Sequence, residues 1–498
     1  MEEYKVWKVI EKSSMPRDRR LVKCKWVFLI KNNGVFRSRL VACGYSQIPG
    51  IDFADTYSPV IHDSTFKVLL ILLMMMNLDY LLIDVETAFL TGNLEDVEIY
   101  MECPEGMQDS LNKCLFLLKA TYGLVQASRS FFLKLVKKLK GFGFEQSKAD
   151  PCLMIKRSNK GLVILALYVD DILCIGNKDA IQDTVEKLKK VFTIKVTTSL
   201  SDYLSCEILF DKYRKRAWIG QPHLIKKLES KFGEYARDAM LCKTPGTPNQ
   251  GVIRPTEDSK LIPSEEQTRY RSGVGMLLYL VKHSRPDIAN AVRELSKCMD
   301  KATQQAVKEL KRVIRFVLAT KDYGLKLSPN GSLGKWSVNV YSDSDWAGDK
   351  DTRLSVTGFV IFLMGSPIMW RSRAQRSVSL SSTEAEYYAL SEAAKEVKFV
   401  AQVLITMGLE VKLPIVVRVD NVGAIFMSEN ANASSRTRHA DIRYRFVTSF
   451  IEDKFIKVVF VKSHENVSDG FTKNVNAEIY EEHKKHYLAE RKEYSEMP

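Results

Sequence analysis

Residues 165–176 read LALYVDDILCIG, and two adjacent acids, Asp170 and Asp171, stand between two runs of strand-forming residues. Aspartate favours tight turns, so a hairpin turn accounts for the pair without any chemistry. Two like charges this close also repel unless a cation lies between them, so the same pair suits a metal site. Asp84 closes another apolar run, LLID, just where the chain turns toward a helical segment. A strand-end acid beside a hairpin-turn pair brings three carboxylates together. Three carboxylates suit two Mg²⁺ ions about 3.5–4 Å apart, which activate an attacking oxygen and stabilise a leaving one in phosphoryl transfer. Arg37 and Arg39 alternate along one strand and so share a face. They and the aromatic Phe89 would lie within reach of a nucleotide at such a site.

A second set of acids follows much later: Asp343 in VYSDSDW, Glu386 in STEAEY, Asp420 in VRVDN and Asp469 in VSDGFTK. Singly, these read as a turn residue, a helical acid, a helix cap and a solvated charge. Glu384 and Glu386 compete for one role. Ser381-x-x-Glu384 is a capping box, in which the glutamate reaches back to the helix start. That leaves Glu386 free to face the neighbouring strand.

The elements that must position these groups are legible. KWVFLI and VFRSRLVACGYSQ flank a turn containing Asn-Gly, a hairpin signal. A buried helix is expected around Val68–Met76, then the strand ending at Asp84, and a helix from about Gln126 to Lys140. The LALYVDDILCIG hairpin precedes the helical DAIQDTVEKLKKVF. Residues 244–267 carry four prolines without periodicity and read as a linker. Helical segments follow, and from Trp336 the pattern turns to strands in a ββ-β-α-β-α order, a separate mixed α/β domain.

Composition narrows the function classes. A chain of 498 residues is too long for one core. With 45% hydrophobic and 27% charged residues it reads as folded rather than disordered. Its 74 Lys and Arg against 60 Asp and Glu give a net charge of +14, which suits nucleic acid, and an acidic membrane surface equally. VLLILLMMM, Val68–Met76, is far short of the roughly 20 residues that span a bilayer. No secretory signal core is expected from MEEYKVWKVIEKS, and nine cysteines without a C-x-x-C pair argue for reduced thiols rather than disulfides or structural zinc.

Taken in order, WVF, RSRLVACGY, SPV, IDVETAFLTGNLEDVEIYMECPEGM, TYGLVQAS and YVDD resemble the reverse transcriptase of copia-type LTR retrotransposons, and the resemblance runs from about Trp7 to the C-terminus. RPDI at 285–288 and RHADIRYRF at 438–446 are further signatures of that kind. The resemblance implies an α/β (α+β) right-hand polymerase followed by a ribonuclease H-like mixed-sheet domain. Fingers, palm and thumb would occupy 1–243, a linker and helical connection region 244–335, and the ribonuclease H-like domain 336–498. It implies that Asp84, Asp170 and Asp171 are metal-binding palm carboxylates, and that Asp343, Glu386, Asp420 and Asp469 hold the ribonuclease H metals. Two Mg²⁺ or Mn²⁺ ions are implied at each site. Arg37 and Arg39 would contact the incoming triphosphate, Gln126 would line the nucleotide pocket with Tyr168, and Phe89 would pack beneath the sugar. His464 would be a mobile histidine in product release, although a plain surface histidine is as good a reading. The implied partners are an RNA template, a DNA primer, their hybrid and dNTPs, with the integrase or capsid protein of the same element and no membrane. A cytoplasmic setting is implied, compatible with virus-like particles and nuclear access. Ser38 and Cys43, and Ser205 and Cys206, depart from the usual pattern and bear on substrate contacts rather than on metal sites. The chain starts late against the family, without capsid, protease or integrase regions. It is therefore read as a processed product, a polyprotein fragment or a degraded copy, and a fragment that only binds nucleic acid is the alternative to an active enzyme.

Overall fold

Branched and aromatic residues between Cys24 and Ala42 pair as an antiparallel hairpin, β1 (Cys24–Ile30) and β2 (Phe36–Ala42). Arg37 and Arg39 lie on β2, opposite Leu29 and Val27. The computed structural model describes residues 1, 3–30, 34–94, 97–107, 110–200, 203–211, 215–236, 241–429 and 438–495. Residues 31–33 of the hairpin turn lie outside these, as do the side chains of 438–442 and 444 in the RHADIRYRF signature.

By packing, the chain forms two compact units, Met1–His62 with Leu78–Thr198, and Asp63–Asn77 with Ser199–Pro498. In the first unit a sheet is built from β3 (Asp79–Val85), β4 (Leu153–Ser158), β5 (Gly161–Tyr168), β6 (Asp171–Gly176) and β7 (Ile194–Thr197). Its spatial order is β7-β3-β6-β5-β4, with Glu145–Gln146 at the far edge, and every pairing is antiparallel. The acid-bearing strands are therefore central. Their apolar runs are buried, from Leu162 to Leu167 on β5 and from Ile172 to Ile175 on β6. Burial of such side chains is worth about 1.5–3 kcal/mol each, so the hairpin that carries the paired acids is anchored by its own strands. Helix α1 (Ala127–Gly141) buries Phe131, Leu135 and Leu139. Helix α2 (Lys178–Lys189) buries Ile181, Val185 and Leu188.

In the second unit the helix Asp63–Met75 is buried along nearly its whole length, which its uninterrupted apolar run requires. Helices Pro222–Phe232, Ser264–His283 and Gln304–Ala319 share a core around Leu228, Leu277, Leu310 and Phe316. Arg285 of RPDI is fully buried and forks onto Asp287 at 2.9 and 2.8 Å, so this signature is a structural brace. Strands Glu207–Asp211, Arg216–Gly220, Tyr323–Leu327 and Leu488–Glu490 form one sheet, which draws together segments far apart in the chain.

The last sheet comprises β8 (Val338–Asp345), β9 (Val356–Leu363), β10 (Ser366–Ala374), β11 (Ile415–Val419) and β12 (Ile456–Phe460) in the order β10-β9-β8-β11-β12. β8 to β10 are antiparallel hairpin neighbours, whereas β11 and β12 run parallel with β8 and need helical crossovers. Helices α3 (Ser382–Thr406) and α4 (Arg438–Glu452) lie in those crossovers. This is the mixed helix-and-sheet architecture expected, with a five-stranded mixed sheet toward the C-terminal end. No helix among the described residues is long and apolar enough to cross a membrane.

Candidate functional site

Two carboxylate clusters form, one in each unit. In the first, β3 lies between β6 and β7, and register puts Asp84 directly opposite Asp171 on one side and Lys195 on the other. Directly opposed residues share a face, so the two acids and the lysine project together. Asp170 sits in the two-residue turn closed by Tyr168 and Asp171, and its carbonyl accepts from the Val85 N–H at 2.9 Å. The other turn residue, Val169, has φ +55°, in a position that glycine usually takes. A β-branched residue held there stores backbone strain, which the two buried strands must sustain. Burial pushes Asp171 up to about 6, reinforced by Asp170 and then Asp84. Asp84 is raised too, by burial first and then Asp170, while Lys195 and Arg37 oppose the rise. At Asp84, burial and the repulsion of Asp170 outweigh the nearby cations.

Beside it, a cavity of about 860 Å³ is lined by Arg37, Arg39, Thr87 and Tyr122 among others. The Arg39 guanidinium stacks 4.8 Å from the Tyr122 ring centre, and its buried Nε has no hydrogen-bond partner. Phe89 is half-buried behind Tyr122, edge to face at 5.2 Å. Gln126 is buried, and both ends of its amide are engaged within the protein. Its Nε2 donates to the Asp52 carbonyl at 2.9 Å and its Oε1 accepts from Gln47 at 3.1 Å. Neither Phe89 nor Gln126 lines the cavity. Tyr168 is half-buried at the end of β5.

The second cluster draws on β8, α3, β11 and the turn before Lys473. Carboxylate oxygens of Asp343, Glu386 and Asp420 lie within 4.8 Å of one another, and no other group of three among the described residues is as tight. Asp343 and Asp469 are buried, as is Glu386. The Ser344 N–H donates to Glu386 Oε1 at 3.1 Å, the Thr472 hydroxyl donates to Asp343, and Lys473 Nζ pairs with Asp469 Oδ2 at 3.0 Å. Burial raises Asp343, with Asp469 as the next cause, and burial raises Glu386, with Asp343 and Asp420 next. Glu386 Oε2 and Asp469 Oδ1 are buried without a hydrogen-bond partner. Hard oxygen donors, mutual repulsion and orphaned lone pairs fit a divalent cation such as Mg²⁺ or Mn²⁺.

Glu384 lies elsewhere, at the start of α3. Its N–H donates to Ser381 Oγ at 3.1 Å, while its side chain accepts from the Leu380 N–H at 2.7 Å and from the Tyr388 hydroxyl at 2.9 Å. His464 is exposed on a short turn, 3.6 Å from Glu465. Lys195, Tyr122 and Lys473 were not singled out from the sequence. Tyr122 stands inside TYGLVQAS, but its stacking on Arg39 depends on tertiary packing, and the pairing of Lys195 with Asp84 depends on strand register.

Comparison with known proteins supplies the context. The family described as "Reverse transcriptase (RNA-dependent DNA polymerase)" matches residues 4–239. The chain is 34% identical over 475 residues to the retrovirus-related Pol polyprotein from transposon RE1 of Arabidopsis thaliana, covering 93% of this chain and 31% of that one. It is 33% identical over 491 residues to the corresponding polyprotein from transposon TNT 1-94 of Nicotiana tabacum, covering 95% of this chain and 36% of the other. The chain thus spans about a third of the length of these curated relatives. A solved foamy viral protease-reverse transcriptase in complex with double-stranded DNA aligns over 91% of this chain and 67% of its own, at 12% identity and a TM-score of 0.47, too low to bear on the reading.

Proposed function

We propose, from the reverse transcriptase family match over residues 4–239 and the similarity to copia-type retrotransposon Pol polyproteins, that the chain is an RNA-directed DNA polymerase with a fused ribonuclease H. The observation that carries the polymerase half is the pairing of Asp84 with Asp171 across β3 and β6, with Asp170 in the adjoining turn. Divalent ions bound there would supply charge neutralisation of the phosphates and activation of a primer hydroxyl. The chain's own groups do the rest. Asp84, Asp170 and Asp171 hold the ions, two of them in this reading. Arg37 and Arg39 receive the triphosphate of a dNTP at the neighbouring cavity, where the unpartnered Arg39 Nε favours an anion. Tyr122 keeps Arg39 in place, and Phe89 backs Tyr122. Asp343, Glu386, Asp420 and Asp469 play the corresponding part for hydrolysis of RNA in a hybrid, with the Thr472 hydroxyl and Lys473 orienting Asp343 and Asp469.

In this reading residues 1–243 supply fingers, palm and thumb, 244–335 the connection, and 336–498 the ribonuclease H-like domain. The partners are an RNA template, a DNA primer and, within a particle in the cytoplasm, other products of the same element such as integrase or capsid protein.

Primer extension on poly(rA)/oligo(dT) with Mg²⁺ tests the proposal. Asp170→Asn, which keeps shape and removes charge, should abolish extension, and Asp343→Asn should stop hybrid cleavage while leaving synthesis largely intact. Extension at near wild-type rate by Asp170→Asn would remove the metal assignment. Joint loss of both activities in a folded Asp343→Asn protein would remove the two-site reading. Wild-type protein that binds the hybrid with neither activity would favour a fragment that only binds nucleic acid.

A further inference from the structure

The hairpin of β1 and β2 is a sheet of two strands only. Among the described residues β1 pairs with β2 alone, and no other segment's backbone hydrogen-bonds to residues 25–30. The outer edge of β1 thus presents unpaired N–H and C=O groups, a template for another strand. Its side chains read Trp26, Val27, Phe28, Leu29 and Ile30, all exposed. Trp26 and Phe28 stack on one face, with ring centres 6.3 Å apart and planes 20° from parallel. Ile30 and Phe36 oppose each other and extend that face, while Val27 and Leu29 lie on the other. Soluble proteins shield such edges with charge, proline or a bulge. These five residues carry no charge and no proline.

A lone two-stranded hairpin is marginally stable in water, and three or more strands with an apolar face are needed for independent stability. Area argues the same way. Trp26, Phe28 and Phe36 are 40%, 76% and 82% exposed. At about 150–250 Å² for a whole aromatic side chain, their free surface comes to roughly 300–500 Å². Val27, Leu29 and Ile30 carry the patch toward the ~800 Å² per partner that a specific interface buries. Charge selects what covers it. Pairing β2 with β2 about Ser38 would set Arg37 against Arg39 of the second copy, and directly opposed like charges destabilise. Pairing β1 with β1 about Phe28 sets apolar against apolar at all five positions. Trp26 meets Ile30, Val27 meets Leu29, and Phe28 meets its own counterpart. The stretch is self-complementary in an antiparallel register, as a two-fold interface requires. A nucleic-acid strand suits it less, because the face of Trp26, Phe28 and Ile30 has Leu40, Ser38 and Phe36 opposite and so no cation for phosphates.

We propose that β1 is a dimerisation edge and that its occupant is β1 of a second copy of this chain. The two strands pair antiparallel about a two-fold axis at Phe28, joining two hairpins into one four-stranded sheet in the order β2-β1-β1-β2. Each copy has one such edge, so pairing closes at two instead of growing into a filament. β2, with Arg37 and Arg39, stays on the outside of the new sheet. The inference needs neither catalytic activity and stands apart from the polymerase reading.

Sedimentation equilibrium of the full chain, freed of nucleic acid, tests this over a micromolar concentration series. Wild type should reach a dimer, and association should strengthen as salt rises, because salt screens the repulsion between two chains of net charge +14. Association bridged by residual nucleic acid weakens with salt instead, and that result would overturn the edge. Phe28→Glu and Phe28→Lys each place two like charges at the axis, and each alone should raise the dimer Kd about ten-fold or more. An equimolar mixture of the two should recover the dimer, since glutamate then faces lysine across the axis. Recovery also separates a lost interface from a damaged hairpin, which mixing does not repair. Wild type that stays monomeric, single variants that dimerise as wild type does, or a mixture that stays monomeric would each overturn the pairing. Monomeric wild type whose Phe28→Glu variant loses affinity for single-stranded RNA would assign the patch to nucleic acid in place of a second copy.

Discussion

At the residue scale, the informative contrast is between Phe89 and Tyr122. The resemblance assigns Phe89 to the sugar of the incoming nucleotide, yet it is Tyr122 that lines the cavity, with Phe89 packed edge-on behind it. On the proposed polymerase reading, a rigid ring in this layer, Tyr122 backed by Phe89, would pack against deoxyribose and repel an added 2′-hydroxyl, so selectivity would come from penalising the wrong substrate. Phe89→Val should leave dTTP incorporation measurable and raise UTP incorporation relative to it by about ten-fold, equivalent to ~1.4 kcal/mol of discrimination. The measurement is kcat/KM for both nucleotides on one primer–template. An unchanged ratio in a folded, active variant would assign Phe89 to packing alone and leave Tyr122 as the group to test.

At the element scale, α3 performs two tasks within its first turns. Ser381 and Glu384 satisfy the helix start, and Glu386 leaves the same turn to meet β8 and β11. The two glutamates should therefore separate experimentally. Glu384→Gln keeps an acceptor for the Leu380 N–H and should retain most hybrid cleavage, at a stability cost below about 1 kcal/mol. Glu386→Gln should abolish cleavage and yet stabilise the metal-free fold, because it removes a buried acid that repels Asp343 and Asp420. A gain of 1 kcal/mol corresponds to a rise in Tm of roughly 2–4 °C for a domain of this size. Differential scanning calorimetry in EDTA checks the sign, and a lower Tm for Glu386→Gln would show that the repulsion is not borne by the fold.

At the scale of the whole molecule, stability should depend on pH and divalent ions together. Asp343, Glu386 and Asp171 all bind protons more readily folded than unfolded. Their contribution to stability is complete below the ordinary carboxylate range, near pH 4. It is lost as pH rises through the folded values, up to about 6 for Asp171 and about 8 for Asp343. Metal-free protein should accordingly lose more stability between pH 5.5 and 8 than a variant carrying Asp343→Asn and Glu386→Gln. Added Mg²⁺ should raise Tm more at pH 8 than at pH 5.5, since binding requires the charged carboxylates. Equal Mg²⁺ shifts at the two pH values would contradict the coupling.

The sequence by itself determined most of the elements and singled out the acids by type and position. LLID, LALYVDDILCIG and STEAEY carry their strand, turn and helix signals within a few residues, and local propensity suffices to read them. Ser381-x-x-Glu384 likewise separated the capping glutamate from Glu386, because a capping box is a contact of one helical turn. Tertiary structure alone decided which groups face one another. The pairing of Asp84 with both Asp171 and Lys195 follows from a register that one residue of slippage would invert. The burial of Gln126 depends on Gln47 and Asp52, far away in the chain. The helix Asp63–Met75 read correctly as buried, but only packing placed it in the unit that carries the second carboxylate cluster. An apolar run records that it must be covered and carries no mark of what covers it, because the hydrophobic effect is non-directional.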